Sequence, residues 1–416
     1  MWDVETNKSE RAVLIGVQTP NSKISIEESL SELYQLSRTA GARVIGKFAQ
    51  KREKPHPTYY FGKGKIIELK DFILANDINL VVVDDELLTN QESTLEEELG
   101  CKVIDRTRLI LDIFAIHASS SVGKLQVELA QMEYSLPRLQ NLWAKFSRLG
   151  GGIGTRGPGE KKIEMDKRII NDRISSIRKK LQCISQQRKN QRKQRKKSLK
   201  KTICLVGYTN SGKSTLLNTL TGSKVIVANK LFATLSPTTR RLNCGKHDVL
   251  ISDTVGFIRK LPHHVVEAFM ATLEQVQEAD LLVHVIDISS ENFLHQIDAV
   301  ENVLSELECM DIPIIKVFNK TDMVQLDISD KNESVIYVSA LKRTGIDSLL
   351  KSIEEKLDDD IDQIRLKIPQ SRHDVVSSVY SNFQVCNKSY EDDYIVLSCY
   401  LKKELIDLYR EFIIEC

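Results

Sequence analysis

Eight consecutive residues, GYTNSGKS at 207–214, match the pattern GxxxxGK[ST] of a phosphate-binding loop. The glycines let the backbone turn so that successive N–H groups face phosphate oxygens, and the helix that follows adds partial positive charge. Lys213 would supply a full charge and the Ser214 hydroxyl a ligand for Mg²⁺. The predicted nucleotide contacts of this loop are Gly207, Tyr208, Thr209, Asn210, Ser211, Gly212, Lys213, Ser214 and Thr215.

A second short motif, DTVG at 253–256, ends a predicted strand about forty residues after Ser214. A carboxylate at Asp253 would reach Mg²⁺ through a water molecule, and the N–H of Gly256 would meet the γ-phosphate. Such a motif is weak evidence alone, but its position at the end of a neighbouring strand indicates that it belongs to the same site as the phosphate-binding loop. Asp253, Thr254, Val255 and Gly256 are therefore placed at the phosphates.

The motif NKTD at 319–322 follows another buried strand and would select the base. A carboxylate at Asp322 can accept the N1 and N2 hydrogens of guanine, and adenine has no matching pair. The Asn319 amide can bond the purine edge, and the Lys320 stem can cover the ring. The wrong base would leave these polar groups unpaired. The predicted base contacts are Asn319, Lys320, Thr321 and Asp322, with Ser339, Ala340 and Leu341 after the next strand.

Between these motifs, a segment should supply a threonine to Mg²⁺, and FATLSPTTR at 232–240 offers three. Spacing alone does not choose between Thr234, Thr238 and Thr239. The residue after Gly256 is Phe257, where many small GTPases carry a glutamine that orients the attacking water. Phenylalanine cannot do so, and we therefore expect slow intrinsic hydrolysis that a partner accelerates.

The elements around these motifs must bring them to one edge of a sheet. We expect strands at Thr202–Val206, Val249–Asp253, Leu281–Asp287, Ile314–Asn319 and Val335–Ser339, alternating with helical stretches. Such alternation predicts a parallel sheet that binds ligands beyond the carboxyl ends of its strands. The predicted fold class is α/β, with a P-loop GTPase domain at 201–360.

Three further regions flank this domain. Residues 1–112 alternate short apolar runs with helical patterns, which predicts an N-terminal α/β domain. Residues 113–200 predict a long helical hairpin with a Gly-rich loop and a basic second helix. Residues 361–416 predict a small C-terminal α+β domain, with strands at Gln384–Cys386 and Tyr394–Tyr400 and a helix from about Lys402.

Charge is distributed unevenly along the chain. Residues 161–201 hold 17 Lys or Arg and three acids, a net +14, so that the remainder carries −12 in a chain of net +2. This basic segment favours a polyanionic partner over a merely solvated helix face. The candidate RNA contacts are Arg156, Lys161, Lys162, Arg188, Arg192 and Lys196.

Composition limits the other classes of protein. Eight cysteines are scattered without CxxC spacing, which argues against a zinc or redox site and favours reduced cytosolic thiols. The apolar runs are too short to span a membrane, and the first residues do not resemble a secretory signal. We therefore expect a cytoplasmic protein, and the uneven charge favours a monomer.

Beyond the nucleotide motifs, the chain resembles the HflX-type GTPases, the ribosome-associated translation-factor class of the Obg/HflX superfamily. The resemblance covers nearly the whole chain and rests on motifs in every region. They are GARV at 41–44, QKREKPHP at 50–57, GKGK at 62–65, DRT at 105–107, LDIF at 111–114, QVELAQ at 126–131, LPRL at 136–139, GGIGTRGPGE at 151–160, FATL at 232–235 and DTVGFI at 253–258.

The resemblance implies a GTPase that uses Mg²⁺ and GTP, binds the 50S subunit and its 23S rRNA, and splits or rescues stalled 70S ribosomes. It selects Thr234 as the threonine that binds Mg²⁺ and adds Phe232, Ala233, Leu235 and Ser236 to the nucleotide site. The catalytic residues would then be Lys213, Asp253, Gly256 and Thr234, with Ser214 and Thr234 as metal ligands. It also implies that the hairpin loop reaches toward the peptidyl-transferase region.

Two departures from the family pattern alter the charge near that loop. IHASSS at 116–121 stands where arginine and glutamate are usual, and Lys161-Lys162 replaces a less basic pair. These departures would fit a subgroup of the family that is linked to resistance against ribosome-targeting antibiotics. The alternatives are a GTPase acting in ribosome assembly or on free RNA, and a GTP-switched adaptor that does not hydrolyse. GKGK at 62–65 lacks full phosphate-loop spacing and favours a turn over a second nucleotide site.

Overall fold

The structure is a computed structural model of the 416-residue chain. It describes residues 10–22, 24–149, 158–195, 201–223, 231–232, 238–244, 247–260, 275–324, 335–358, 361–402 and 407–415. The chain forms two compact units. Unit 1 comprises Met1–Gln182, Ala228–Ser236 and Ile258–Thr272, and unit 2 comprises Cys183–Val227, Pro237–Phe257 and Leu273–Cys416.

A four-stranded parallel sheet lies at the centre of unit 1, in the order β2-β1-β3-β4. Its inner strands are mainly β-branched and aliphatic, and β3 is buried at every position, as a sheet covered on both faces requires. The strands are β1 (Arg11–Gln18), β2 (Arg43–Lys51), β3 (Leu80–Val83) and β4 (Lys102–Asp105).

Four helices connect and follow these strands: α1 (Ile26–Thr39), α2 (Lys63–Ala75), α3 (Thr89–Leu99) and α4 (Arg106–His117). Polar side chains cap two of them. Ser25 accepts a hydrogen bond from the Glu28 N–H at the start of α1, and Asp105 accepts one from the Arg108 N–H at the start of α4. The GKGK motif lies at the N-terminus of α2, where Gly62 is the capping residue.

An ion-pair cluster fills the carboxyl end of this sheet. The carboxylate of Asp84 is fully buried and accepts from Arg106 at 3.0 Å and from Lys260 at 2.6 Å. Arg106 also pairs with Glu32, and Lys260 reaches Asp85 at 2.6 Å. Because Arg106 and Asp84 are both out of water, their charges have to be compensated by partners within this cluster.

Two long helices follow, α5 (Ser121–Leu149) and α6 (Pro158–Arg195). Leu129 of α5 packs with Ile174 and Ile177 of α6. Arg173 and Arg178 of α6 pair with Glu128 and Glu133 of α5, at 2.7 Å each. The two helices therefore pack as a hairpin, as the apolar spacing predicted. Within the described part of the chain, no helix has the length and apolarity needed to cross a membrane.

Unit 2 contains a six-stranded sheet in the order β10-β9-β8-β5-β7-β6, parallel except for β6. Its strands are β5 (Thr202–Gly207), β6 (Thr238–Cys244), β7 (His247–Asp253), β8 (Leu281–Asp287), β9 (Ile314–Asn319) and β10 (Ile336–Tyr337). Its helices are α7 (Lys213–Thr221), α8 (Phe293–Glu306) and α9 (Ile346–Asp358). Leu216 and Leu349 pack on buried Ile203, Val283 and Val317 from one face.

The last part of the chain forms a four-stranded antiparallel sheet in the order β12-β13-β11-β14. Its elements are β11 (Ile361–Pro369), α10 (His373–Asn382), β12 (Gln384–Glu391), β13 (Tyr394–Lys402) and β14 (Ile413–Glu415). A helix was expected from about Lys402, but Lys402 is the last residue of β13. Asp407–Phe412 is a short 3₁₀ helix and the following residues add β14 to the edge of β11.

These findings confirm the α/β fold class with a P-loop domain and a small C-terminal α+β region. The six-stranded sheet places the ends of β5, β7, β8 and β9 at one edge, where the predicted motifs follow.

Candidate nucleotide site

The phosphate loop turns sharply between β5 and α7 and needs glycine at both of its ends. Gly207 has φ +154°, and a Cβ there would lie 2.3 Å from the Val285 carbonyl oxygen. Gly212 has φ +95°, and a Cβ there would lie 2.2 Å from the Asn319 amide nitrogen. Both contacts are closer than any side chain allows, so the loop shape and its approach to Asn319 depend on these two glycines.

Lys213 begins α7 and is buried, with a relative exposure of 6%. Its ammonium donates to the carbonyl oxygens of Gly207 at 3.0 Å and Tyr208 at 2.8 Å. Burial lowers the pKa of Lys213 to about 8, and the nearby Asp253 only partly offsets this. An incompletely compensated ammonium inside the loop is a strong attractor for the negative charge of a phosphate.

Two further hydroxyls in the loop lack a hydrogen-bond partner among the described residues. Among the described residues, the side-chain oxygens of Thr209 and Ser211 are buried and have no hydrogen-bond partner. Buried polar groups are normally satisfied, because an unmet hydroxyl costs about 1–3 kcal/mol. Phosphate oxygens entering this loop would satisfy both.

The Ser214 hydroxyl donates to the Asp253 carboxylate at 2.5 Å, where β7 ends. Asp253 is fully buried, and the next residue, Thr254, donates from its hydroxyl to the Leu205 carbonyl oxygen at 2.6 Å. Mg²⁺ prefers oxygen ligands and needs only one or two from the protein when phosphates provide others. The Ser214 hydroxyl therefore suits Mg²⁺ as a ligand, and Asp253 lies beside it, where a carboxylate that acts through water is expected.

Gly256 and Phe257 lie against the phosphate loop. The Phe257 N–H donates to the Gly207 carbonyl oxygen at 3.1 Å, and the Thr209 N–H donates to the Phe257 carbonyl oxygen at 2.8 Å. A Cβ at Gly256 would lie 2.7 Å from the Thr209 Cα and 3.1 Å from the Lys213 ammonium. This backbone pairing was not foreseen, because it involves no side-chain pattern. The Phe257 ring is itself buried.

The base-selecting residues are brought together after β9 and β10. The Asn319 amide donates to the Ser211 carbonyl oxygen at 2.9 Å and accepts from the Ala340 N–H at 3.0 Å. The Ser339 hydroxyl donates to Asp322 at 2.6 Å, and this bond holds the pKa of Asp322 below its ordinary value. Asp322 is therefore a carboxylate at neutral pH, as an acceptor for two guanine hydrogens must be.

Lys320 has an ion-pair partner that sequence reasoning missed. Its ammonium lies 2.6 Å from the carboxylate of Asp287, the last residue of β8. Asp287 belongs to none of the predicted motifs. The available signal was an acid closing an otherwise apolar strand, LLVHVID, at the edge of the sheet where ligands bind.

Of the other predicted residues, some make contacts within their own unit and the rest lie outside the described part of the chain. Phe232 belongs to unit 1 and packs edge-to-face on Phe114, with ring centroids 4.6 Å apart. Thr238 and Thr239 lie in β6, where the Thr239 and Ser252 hydroxyls are 2.8 Å apart. The structure does not describe Ala233, Thr234, Leu235 and Ser236, or the side chains of Arg156, Lys161, Lys162, Arg188, Arg192 and Lys196.

A phosphate loop, a carboxylate on the adjacent strand and a base-selecting loop at one edge of an α/β sheet define a P-loop GTPase. Four family models match successive parts of this chain: GTP-binding GTPase N-terminal (27–115), GTP-binding GTPase Middle Region (117–195), 50S ribosome-binding GTPase (202–320) and HflX C-terminal domain (322–407). The chain belongs to the HflX GTPase family.

Two HflX GTPases of nearly the same length support this assignment. GTPase HflX of Caldanaerobacter subterraneus is 46% identical over 97% of this chain and 94% of its own. GTPase HflX of Escherichia coli is 38% identical over 96% of this chain and 95% of its own. A GTP-binding protein from Sulfolobus solfataricus, solved with GDP, is 25% identical with a TM-score of 0.45, over 84% of this chain and 99% of its own.

Proposed function

We propose that this GTPase binds the 50S subunit, hydrolyses GTP in response to it, and splits or rescues stalled 70S ribosomes. The description of the family model over residues 202–320, 50S ribosome-binding GTPase, supports the partner. The net +14 of residues 161–201 suits the phosphates of 23S rRNA, and a ribosome partner places the protein in the cytoplasm. We further propose that it acts as a monomer of four domains, 1–112, 113–200, 201–360 and 361–416.

Within the nucleotide site, one observation carries the proposed roles. Lys213, Asp253 and Asn319 are all buried, at 6%, 0% and 2% exposure, and lie at the same edge of one sheet. We assign Lys213 to the β- and γ-phosphates, the Gly256 N–H to the γ-phosphate, and Asp322 to the N1 and N2 hydrogens of guanine.

Ser214 and Thr234 would hold Mg²⁺ directly, and Asp253 would reach it through a water molecule. When bound, Mg²⁺ neutralises charge that develops on the phosphate oxygens. The protein's own contribution is to orient the phosphates with loop N–H groups and to place the Lys213 charge beside them. The Phe257 ring carries no group that could orient a water molecule. We therefore propose that the ribosome supplies or orders the group that does.

Turnover measurements test this proposal. GTP hydrolysis would be measured alone and with purified 50S, 70S or free rRNA, using Lys213→Met as the inactive variant. Lys351→Met is the matched control, because the Lys351 side chain is 78% exposed and lies 4.0 Å from Glu355. We expect strong stimulation by 50S and 70S in wild type and control. Stimulation by free rRNA alone would instead support a function in assembly or on free RNA.

Splitting is tested separately by sucrose-gradient profiles of 70S particles with GTP and saturating protein. We expect the 70S peak to divide into subunits, and an intact peak would exclude this activity. Growth with and without ribosome-targeting antibiotics, in cells with and without the protein, tests the resistance proposal. Equal inhibition in both would exclude it.

The basic helix is tested by replacing Arg188, Arg192 and Lys196 with serine. Each lost phosphate contact should reduce the log–log salt dependence of 50S affinity by about 0.7–0.9. We expect a reduction of about 2–3 for the triple variant. An unchanged salt dependence would show that these residues do not contact rRNA phosphates.

A further inference from the structure

Three polar side chains of the NKTD loop, those of Asn319, Lys320 and Asp322, each have a separate partner before any base arrives. Asn319 is tied to the phosphate loop, and Asp322 is bonded to Ser339. Lys320 is held by Asp287, with 2.6 Å between its ammonium and one carboxylate oxygen. The two side chains are 24% and 14% exposed, so that solvent screens this pair less than an open surface pair.

Asp287 is itself held in one orientation. Its Oδ1 accepts from the Ser289 N–H at 3.0 Å and from the Ser289 hydroxyl at 2.5 Å, whereas its Oδ2 faces Lys320. It lies directly opposite Asn319 in the β8–β9 ladder, and the Ile288 N–H donates to the Asn319 carbonyl oxygen at 3.1 Å. The sheet therefore fixes the carboxylate relative to the base-selecting loop.

The backbone at Lys320 is also constrained. Its φ is +64° and its ψ is +33°, in the left-handed region that residues with a Cβ seldom adopt. This conformation sets the direction in which the long side chain leaves the loop, and the ion pair with Asp287 fixes its far end. A lysine stem held at both ends has lost most of its rotamer freedom.

We propose that Asp287 is a positioning residue for guanine nucleotides. It holds the Lys320 ammonium so that the aliphatic stem already lies where it covers the face of the base. This inference rests on the base-recognition role proposed for the NKTD loop. Asp287 does not touch the base, so it should affect how tightly any purine binds and leave the choice between purines to Asp322.

The expected size of the effect follows from the ordering that Asp287 removes. Immobilising one flexible side chain on binding weakens affinity by about 2- to 10-fold. Without the carboxylate, Lys320 would have to be ordered by the nucleotide itself. We therefore expect Asp287→Asn to weaken binding of fluorescent GDP by about 2- to 10-fold, mainly through faster dissociation.

The test is a double-mutant cycle with Lys320→Met, which keeps an unbranched stem and removes the ammonium. If Asp287 acts through that ammonium, Asp287→Asn should weaken GDP binding in the Lys320 background and have no effect in the Met background. Equal losses in both backgrounds would mean that Asp287 only supports the fold, and no loss in the Lys320 background would also overturn the proposal.

Two additional variants complete the experiment. Glu301→Gln makes the same charge change beside Lys316 on β9, at an exposed pair of 2.8 Å, and should leave GDP affinity unchanged. If Lys320→Met binds too weakly to titrate, Asp287→Glu decides the matter. It retains a carboxylate and should bind GDP more tightly than Asp287→Asn, and equal affinities would overturn the proposal.

Comparing bases separates this inference from the proposed function. Asp287→Asn should weaken GTP and ITP equally, because inosine lacks only the N2 group that Asp322 reads. Asp322→Asn should shift preference toward xanthine nucleotides. If Asp322→Asn keeps its guanine preference, the proposed base site fails. If only the Asp287→Asn result fails, the base site stands and the positioning role does not.

Discussion

Replacing Lys213 by methionine should change how the stability of the nucleotide-free protein depends on pH. The Lys213 ammonium is buried, and burial lowers its pKa from 10.5 to about 8. At about 1.4 kcal/mol per pKa unit, this corresponds to about 3 kcal/mol by which the folded chain disfavours the charged lysine. Methionine keeps the stem and has no charge to bury.

The sign follows from proton binding. Between pH 8 and 10.5 the unfolded chain holds the Lys213 proton more tightly than the folded chain, so the free energy of unfolding of the wild type rises with pH. Below pH 8 Lys213 is protonated in both the folded and the unfolded chain, and the full free-energy cost of burying its charge is present. Between pH 7 and pH 10, the free energy of unfolding of the wild type should therefore rise by about 2–3 kcal/mol relative to that of Lys213→Met.

Urea unfolding followed by far-UV circular dichroism measures this difference. The transition that added GDP shifts in the wild type reports the domain that contains Lys213. Lys351→Met is again the control, because it makes the same substitution at a side chain that is 78% exposed. If the difference in free energy of unfolding between wild type and Lys213→Met stays constant within about 0.5 kcal/mol from pH 7 to 10, the conclusion that burial disfavours the Lys213 ammonium is refuted.

Three further outcomes test other parts of the structure. Gly212→Ala should destabilise unit 2 by at least about 1–3 kcal/mol and abolish GDP binding in titrations, because its Cβ would collide with Asn319 and its φ is +95°; unchanged binding would exclude the observed loop shape. Asp84→Asn should destabilise unit 1 by about 1–3 kcal/mol in urea unfolding, since Arg106 and Lys260 would each lose one of two carboxylate partners; a change below about 0.5 kcal/mol would contradict this. Ser214→Ala should make GTP affinity nearly insensitive to EDTA, whereas continued Mg²⁺ dependence would remove Ser214 as a ligand.

The parallel part of the fold could be predicted from sequence because the inner strands are short, mainly apolar runs. Val81 and Val283, for example, are completely buried in their sheets. The phosphate loop, with Lys213 and Ser214, was located by local spacing, which depends on backbone geometry within a few residues. The structure places these residues with Asp253 and Asn319 at one edge, as that spacing predicted.

Other features depend on contacts that are distant in sequence. The strand β6 was missed because Arg240, Arg241 and Asn243 are exposed at the edge of the sheet, which blurs the alternation of apolar residues. The C-terminal residues have helical spacing, yet pairing of Ile413 with Leu366 of β11 prevails over local propensity. Asp287 could not be assigned to Lys320 because 33 residues separate them.

The single amide of Asn319 has a consequence for ligands that fill only part of the site. One of its ends accepts from the Ala340 N–H in the loop after β10, and the other donates to Ser211 beside the phosphates. Because this one amide joins the base-binding part of the site to the phosphate loop, a compound that shifts either part also disturbs the other. Inhibitors assembled from independently optimised base and phosphate fragments should therefore not show additive affinities.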